Sequence, residues 1–255
     1  MKAAQLFDLT GRIALVTGAS RGIGEAIART LADNGAEVIV SSRKLASCET
    51  IAASIRAAGG KARAHACHIG EVDSIATLFE WVGREVGRLD VLVNNAATNP
   101  TFGSVLDTDP AAFAKTSDVN FRGYWFMCQH AAPLMAASGG GSIVNIASVT
   151  AERPMDGIGV YGATKAAVVN LTQAFARECA AMGVRVNAVL PGLVNTKMAA
   201  VLQTDPDVRA EALRTIPLRR IAEPADIVGA VLYFASSASS YATGSMLRVD
   251  GGINA

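Results

Sequence analysis

Arg12-Ile13-Ala14-Leu15-Val16-Thr17, then Gly18-Ala19-Ser20-Arg21-Gly22-Ile23-Gly24, then Glu25-Ala26-Ile27-Ala28-Arg29-Thr30-Leu31-Ala32, is the stretch that decides the fold. The first run is short, apolar and β-prone, and the last carries its apolar residues at helical spacing. Strand, glycine turn and helix in that order make a cradle for a nucleotide. Gly18 permits a tight turn, Gly22 lets backbone approach a pyrophosphate, and Gly24 lets the helix pack closely on the strand. The phosphates then rest on the helix N-terminus. The spacing is Gly-x-x-x-Gly-x-Gly, not Gly-x-Gly-x-x-Gly.

Outward from this unit, strand-like and helix-like segments alternate to the end of the chain. The pattern predicts strands near 12–17, 36–41, 62–67, 89–94, 142–147, 184–190 and 245–249, with helices between most of them. Repeated βα alternation implies a mainly parallel sheet covered on both faces. The expectation is therefore an α/β fold: one Rossmann-type, doubly wound domain over residues 1–255 with seven strands. The apolar runs Val91-Leu92-Val93 and Ile143-Val144-Asn145-Ile146 suit its centre. Right-handed crossovers place the early strand ends along one edge, where a dinucleotide lies across the switch point.

Bulk properties narrow the class further. The chain has 255 residues, 51% of them apolar, and a formal charge of +1. A large core is affordable, and nothing in the charge favours nucleic acid or an anionic membrane as partner. No run reaches the roughly 20 apolar residues a bilayer span needs. Cys48, Cys67, Cys128 and Cys179 are scattered, with no Cys-x-x-Cys and only three histidines, so no metal site is expected. Reduced thiols and a start without a signal-peptide core lead to a cytoplasmic expectation.

Two further segments speak to chemistry. Tyr161 and Lys165 lie four residues apart, so a helix brings phenol and ammonium to one face. An ammonium beside a phenol favours the phenolate and lowers a pKa of about 10, giving a proton donor near neutral pH. Ser148 stands upstream. The second strand ends Ser41-Ser42-Arg43-Lys44, without the acid that would hydrogen-bond an NAD ribose. Arg43 offers a planar fork to a 2′-phosphate, and Arg21 adds a second positive charge, so the cofactor expected is NADP rather than NAD.

The glycine turn, Asn94-Asn95-Ala96-Ala97, Ser148, Tyr161 and Lys165, in that order, resemble the signature of the short-chain dehydrogenase/reductase family from about residue 8 to Gly252. Val38-Ile39-Val40-Ser41-Ser42-Arg43-Lys44 and the segment Asn95 to Gly103 are similar to NADPH-dependent carbonyl and retinal reductases. The resemblance implies hydride transfer between NADP(H) and a carbonyl or alcohol, with no metal. Ser148 would hydrogen-bond the carbonyl oxygen, Tyr161 would donate the proton, and Lys165 would lower the Tyr161 pKa and hold the nicotinamide ribose. Asn120 would hold a water linking Lys165 to solvent.

Cofactor contacts follow by the same likeness: Gly18, Ser20, Arg21, Gly22, Ile23 and Gly24 in the turn, then Ser42 and Arg43. His68 and Ile69 would flank the adenine, His68 standing where the family commonly has Asp. Asn94 and Ala96 would line the ribose side, and Pro191 and Gly192 would close over the nicotinamide. Val194 would offer backbone to the carboxamide and Thr196 a hydroxyl to phosphate.

Thr98 to Pro100, Met155 to Val160 and Val194 to Leu202 should surround the substrate, with a short lid at about 193–215. Met155, Val160, Met198 and Leu202 imply an apolar ketone or aldehyde. The rivals are a 3-oxoacyl thioester reductase, an NAD-dependent alcohol dehydrogenase, a sugar-nucleotide epimerase and a non-catalytic NADP sensor. Related enzymes pair the helices near 112–136 and 160–181 across a two-fold axis, so a homotetramer is expected, with Phe121, Tyr124, Trp125, Phe126 and Met127 dense on one helix and the 246–252 segment forming the second contact.

Overall fold

Seven parallel strands make one sheet in the order β3-β2-β1-β4-β5-β6-β7. They are β1 (Ile13–Thr17), β2 (Glu37–Ser42), β3 (Lys61–Ala66), β4 (Val91–Asn94), β5 (Gly141–Ile146), β6 (Val184–Pro191) and β7 (Met246–Val249). The computed structural model describes residues 2–199 and 205–255. Strand boundaries fall within about two residues of those the alternation predicts, because buried parallel strands read as short apolar runs between turn residues.

Side-chain alternation splits the core in two. Leu15, Ile39, Leu92 and Ile143 face one side, with apolar residues of the helices Val72–Glu85, Gly123–Ala137 and Gly159–Cys179. Val16, Val38, Val40, Val93 and Val144 face the other, with the helices Gly22–Asp33, Leu45–Ala57 and Pro224–Ala235. β1 is paired with β2 on one side and β4 on the other. Strand order reverses there, and the crevice beyond the carboxyl ends of β1 and β4 is where a dinucleotide binds such a sheet.

Asp90 fastens the opposite edge. Its carboxylate accepts from the Ile13 amide at 2.8 Å, from Arg12 at 3.0 Å and from Arg88 Nε at 3.0 Å. Burial pushes the Asp90 pKa up, but those donors together hold it below the usual range.

A small third cluster, Ile216 and Ile221 with Leu193, Ala199, Leu213 and Ile253, packs around the segment expected to form a lid. Ala200, Val201, Leu202 and Gln203 of that segment lie outside the described residues. A turn at Lys197–Ala199 precedes them and the helix Pro206–Thr215 follows. Among the described residues, no helix is long and apolar enough to cross a membrane.

Candidate active site

The glycine turn is held by close backbone approach. Gly18 and Gly22 have φ of +64° and +59°, a region that disfavours side chains. A Cβ on Gly18 would lie 2.8 Å from Ala96 Cα, and one on Gly24 would lie 2.4 Å from both Asn95 Nδ2 and Gly18 O. Asn95 staples the turn: its Nδ2 donates to Thr17 O at 2.9 Å and Gly18 O at 3.3 Å, and its amide donates to Thr17 Oγ1 at 2.9 Å. The sequence assigns no role to Asn95 or Thr17. Their only signal was adjacency to the turn and to Asn94.

These residues fit a phosphate-bearing dinucleotide. The amides of Gly22, Ile23 and Gly24 have no backbone partner among the described residues, and they point out of the end of a 12-residue helix. At Gly22 the nearest neighbour of a Cβ would be Thr196 Cγ2, 3.6 Å away, so Thr196 faces the turn across a narrow gap. Ser20 and Ile23 are half-buried beside it. Arg21 and Arg43 are exposed, and neither has a side-chain partner among the described residues. Ser41 Oγ, at the end of β2, is buried without a hydrogen bond. The Ser42 hydroxyl is engaged with Cys48 Sγ at 3.1 Å.

Several expected contacts are placed differently. Asn94 is fully buried, and its Nδ2 donates to Asn145 Oδ1 at 2.9 Å and Cys128 Sγ at 3.4 Å. Its side chain therefore belongs to a core network that continues from Asn145 to Thr172 at 2.9 Å, because the last residue of a central strand alternates inward. Ile69 is likewise a core side chain, and its carbonyl lies against Gly123. His68 turns its Nδ1 onto its own loop, accepting from the Gly70 amide at 3.1 Å. Ala96 sits against the glycine turn through its backbone, its amide donating to Thr17 Oγ1 at 3.2 Å. Pro191 ends β6, and Gly192 packs so tightly on Asp250 that a Cβ would lie 2.7 Å from its Cα. Val194 is buried and bridges to Ala222.

Ser148, Tyr161, Lys165 and Asn120 converge near the carboxyl end of β5. Ser148 caps the short turn Val149–Ala151, and its Oγ accepts from the Thr150 amide at 3.2 Å and Thr150 Oγ1 at 2.9 Å. Asn120 lies in a π-turn, Asp118–Arg122, a local widening common at functional sites. It accepts from the Thr98 amide at 2.8 Å and donates to Thr98 O at 2.9 Å and Thr164 Oγ1 at 3.2 Å. Lys165 is 1% exposed. Its Nζ donates to Ile146 O at 2.6 Å and to the Tyr124 hydroxyl at 3.4 Å, with the Tyr161 ring centroid 5.6 Å away.

The titration of this pair runs against the expectation from spacing. Burial pushes the Tyr161 phenol up to about 12, with a hydrogen bond from Ser148 drawing it partly back. Burial pulls Lys165 down to about 7. Helical spacing does set the two on one turn, but burial dominates the phenol's shift, and Nζ is directed at Ile146 O and the Tyr124 hydroxyl. The phenol is consequently protonated at neutral pH.

A cavity of about 230 Å³ lies between the 99–109 and 157–160 segments; Val160, which precedes Tyr161, lines it, and Ser148, Tyr161, Lys165 and Asn120 do not. Phe102 covers Gly157, and Val105 lies over Gly159. Asp107 and Asp109 are its only charged lining groups among the described residues.

Fold, crevice and side-chain set together define a dinucleotide-dependent oxidoreductase, and the chain belongs to the short-chain dehydrogenase/reductase family. It matches a protein-family model described as enoyl-(acyl carrier protein) reductase over residues 18–254. Among its relatives is human dehydrogenase/reductase SDR family member 4, 37% identical over 244 residues, which cover 96% of this chain and 88% of the human protein. Two solved structures are similar throughout. A gluconate 5-dehydrogenase from Burkholderia cenocepacia J2315, in complex with NADP and tartrate, superposes with a TM-score of 0.96 at 32% identity, covering 99% of this chain and 98% of that one. A 3-oxoacyl (acyl-carrier-protein) reductase from Agrobacterium tumefaciens C58 with NADP bound gives 0.93 at 37% identity, covering 98% and 97%.

Proposed function

We propose that the protein interconverts an apolar ketone or aldehyde and its alcohol with NADP(H). The observation that carries this reading is the convergence of Ser148, Tyr161 and a fully buried Lys165 at the strand edge that also holds the glycine turn. NADP is favoured over NAD by Arg21 and Arg43 at the β1 and β2 ends, neither with a side-chain partner among the described residues, by the lack of Asp or Glu in Ser41-Ser42-Arg43-Lys44, and by the NADP in the two structures named above. Arg43 and Arg21 would hold the 2′-phosphate, the amides of Gly22 to Gly24 the pyrophosphate, and Thr196 a phosphate oxygen.

When bound, the nicotinamide supplies or accepts the hydride. The chain's own residues handle the oxygen. Ser148 donates a hydrogen bond to the carbonyl, and Tyr161 passes its phenolic proton to that oxygen as the alcohol forms. Its raised pKa keeps that proton in place at neutral pH. Lys165, as the ammonium, lowers the cost of the phenolate left behind, and Asn120 fixes the Thr98 backbone and the Thr164 hydroxyl beside it.

The cavity beneath Phe102 and Val105 suits a neutral apolar group. With Asp107 and Asp109 and no cation among its described lining residues, it disfavours the phosphates of a 3-oxoacyl carrier. The 193–215 segment is the proposed lid over this side. For assembly we favour a homotetramer. Trp125, 40% exposed, makes edge contacts with Phe121 at 6.3 Å and Phe175 at 5.2 Å, forming an aromatic strip across the two helices expected to pair. The edge strand β7 would supply the second interface. Four buried free thiols suit a reducing compartment, and the cytoplasm is the proposed location. The decisive assay follows NADPH absorbance at 340 nm with a panel of ketones and 3-oxoacyl thioesters. Loss of absorbance with apolar ketones is expected. A flat trace with every carbonyl would leave a sensor role instead.

A further inference from the structure

Lys165 raises a question its neighbours on the helix do not answer. A lysine this deeply buried needs something to hold its charge, and no carboxylate pairs with it among the described residues. The groups that face it are few. β5 contributes the Ile146 carbonyl at 2.6 Å, its own helix contributes the Tyr161 ring, and the helix Gly123–Ala137 contributes Tyr124. Cys128, one turn beyond Tyr124, is buried and pushed up to about 12 by burial, so it carries no charge.

Tyr124 is fully buried. Its hydroxyl accepts from Nζ at 3.4 Å and donates to Ile146 O at 3.2 Å, closing a triangle with the carbonyl that also receives Nζ. Its ring centroid lies 5.0 Å from Nζ, nearer than that of Tyr161, within the range at which a ring face attracts a cation. Burial holds its own proton firmly, raising its pKa well above 10. Tyr124 therefore acts as a neutral acceptor and ring, never as a rival acid.

From this geometry we infer that Tyr124 is a positioning residue for Lys165, holding the ammonium between its hydroxyl, its ring and the Ile146 carbonyl. The inference rests on the role proposed for Lys165. It assigns a task to a residue whose place in an aromatic-rich helix suggested packing or assembly.

The test uses the full chain and two independent readouts. One is the alkaline limb of kcat/KM for ketone reduction. The other is the Lys165 Cε resonance in cofactor-free protein labelled with ¹³C-lysine, assigned by its loss in Lys165→Met. Tyr124→Phe removes an acceptor from the ammonium but keeps the ring, so both midpoints should fall by about half to one pH unit. Tyr124→Leu removes the ring as well and should move them further. If Tyr124→Leu fails to fold, Tyr124→Phe alone decides. A Tyr124→Phe protein that melts normally and keeps both midpoints overturns the inference. Undiminished turnover in Lys165→Met would strike the proposed chemistry instead, and the resonance in cofactor-free protein still decides the role of Tyr124.

Discussion

The glycine turn and the Tyr161–Lys165 helix lie along the same edge of the sheet but are built in opposite ways. The turn works through backbone: positive φ at Gly18 and Gly22, helix-start amides without a backbone partner among the described residues, and arginines left exposed. The helix works through side chains drawn out of water, Lys165 wholly at 1% exposure and Tyr161, half-buried, with its pKa raised by burial. A backbone device demands particular residues at particular spacings. A desolvated pair depends on whatever the rest of the fold packs around it. The contrast predicts sharp losses from single atoms on the side-chain side and steric or charge-selective losses at the turn.

The largest effect belongs to Tyr161→Phe. It removes the proposed proton donor with little change in volume, so turnover should fall about 10²–10⁴-fold, while the melting temperature and NADPH affinity stay near native. Steady-state kinetics and a fluorescence titration with NADPH check both halves. More than about a tenth of native turnover, set against that range, would remove the phenol from the mechanism.

Next comes charge at the turn. Ser42→Asp with Arg43→Leu exchanges a cation for an anion where the 2′ group is proposed to sit. A hydrogen bond to a charged group is worth about 1.5–3 kcal/mol, so NADPH should weaken roughly ten- to a hundredfold and NADH should not. The kcat/KM ratio for the two cofactors measures this. Equal weakening of both would mean that Arg43 reads no phosphate.

Gly24→Ala tests close packing directly. Its Cβ would sit 2.4 Å from Gly18 O, a backbone atom that cannot swing away, so about 1–3 kcal/mol of stability should be lost. Thermal unfolding without cofactor checks it, because a merely flexible loop would accept alanine unchanged.

The smallest effect sharpens the helix side. Lys165 has a folded pKa drawn down to about 7 from an ordinary value of 10.5. Between those values the unfolded chain binds the extra proton, so this group makes stability rise with pH, and its full penalty is present below about 7. Lys165→Met should raise the melting temperature by a few degrees below pH 7, and the gain should shrink towards pH 10. A gain independent of pH would assign the effect to packing rather than to the buried charge.

Asn120 and Ser148 are expected only from the family resemblance, whereas the sequence's own pattern determined the parallel α/β sheet, the seven strand positions, the glycine turn and the spacing of Tyr161 and Lys165. Each is written locally, as alternation, turn residues or a one-turn spacing, and local rules survive in any compact fold. Tertiary structure decided which member of a repeated pair does what. Asn94 turns into the core while Asn95 staples the turn, since one residue along a strand reverses the face. Tyr124 goes under Lys165 while Trp125 stays at the surface, since 100° around a helix separates inside from outside. Tertiary structure also set the sign of the Tyr161 shift. Spacing can place an ammonium near a phenol, but burial depends on every neighbour, and here desolvation dominates the shift.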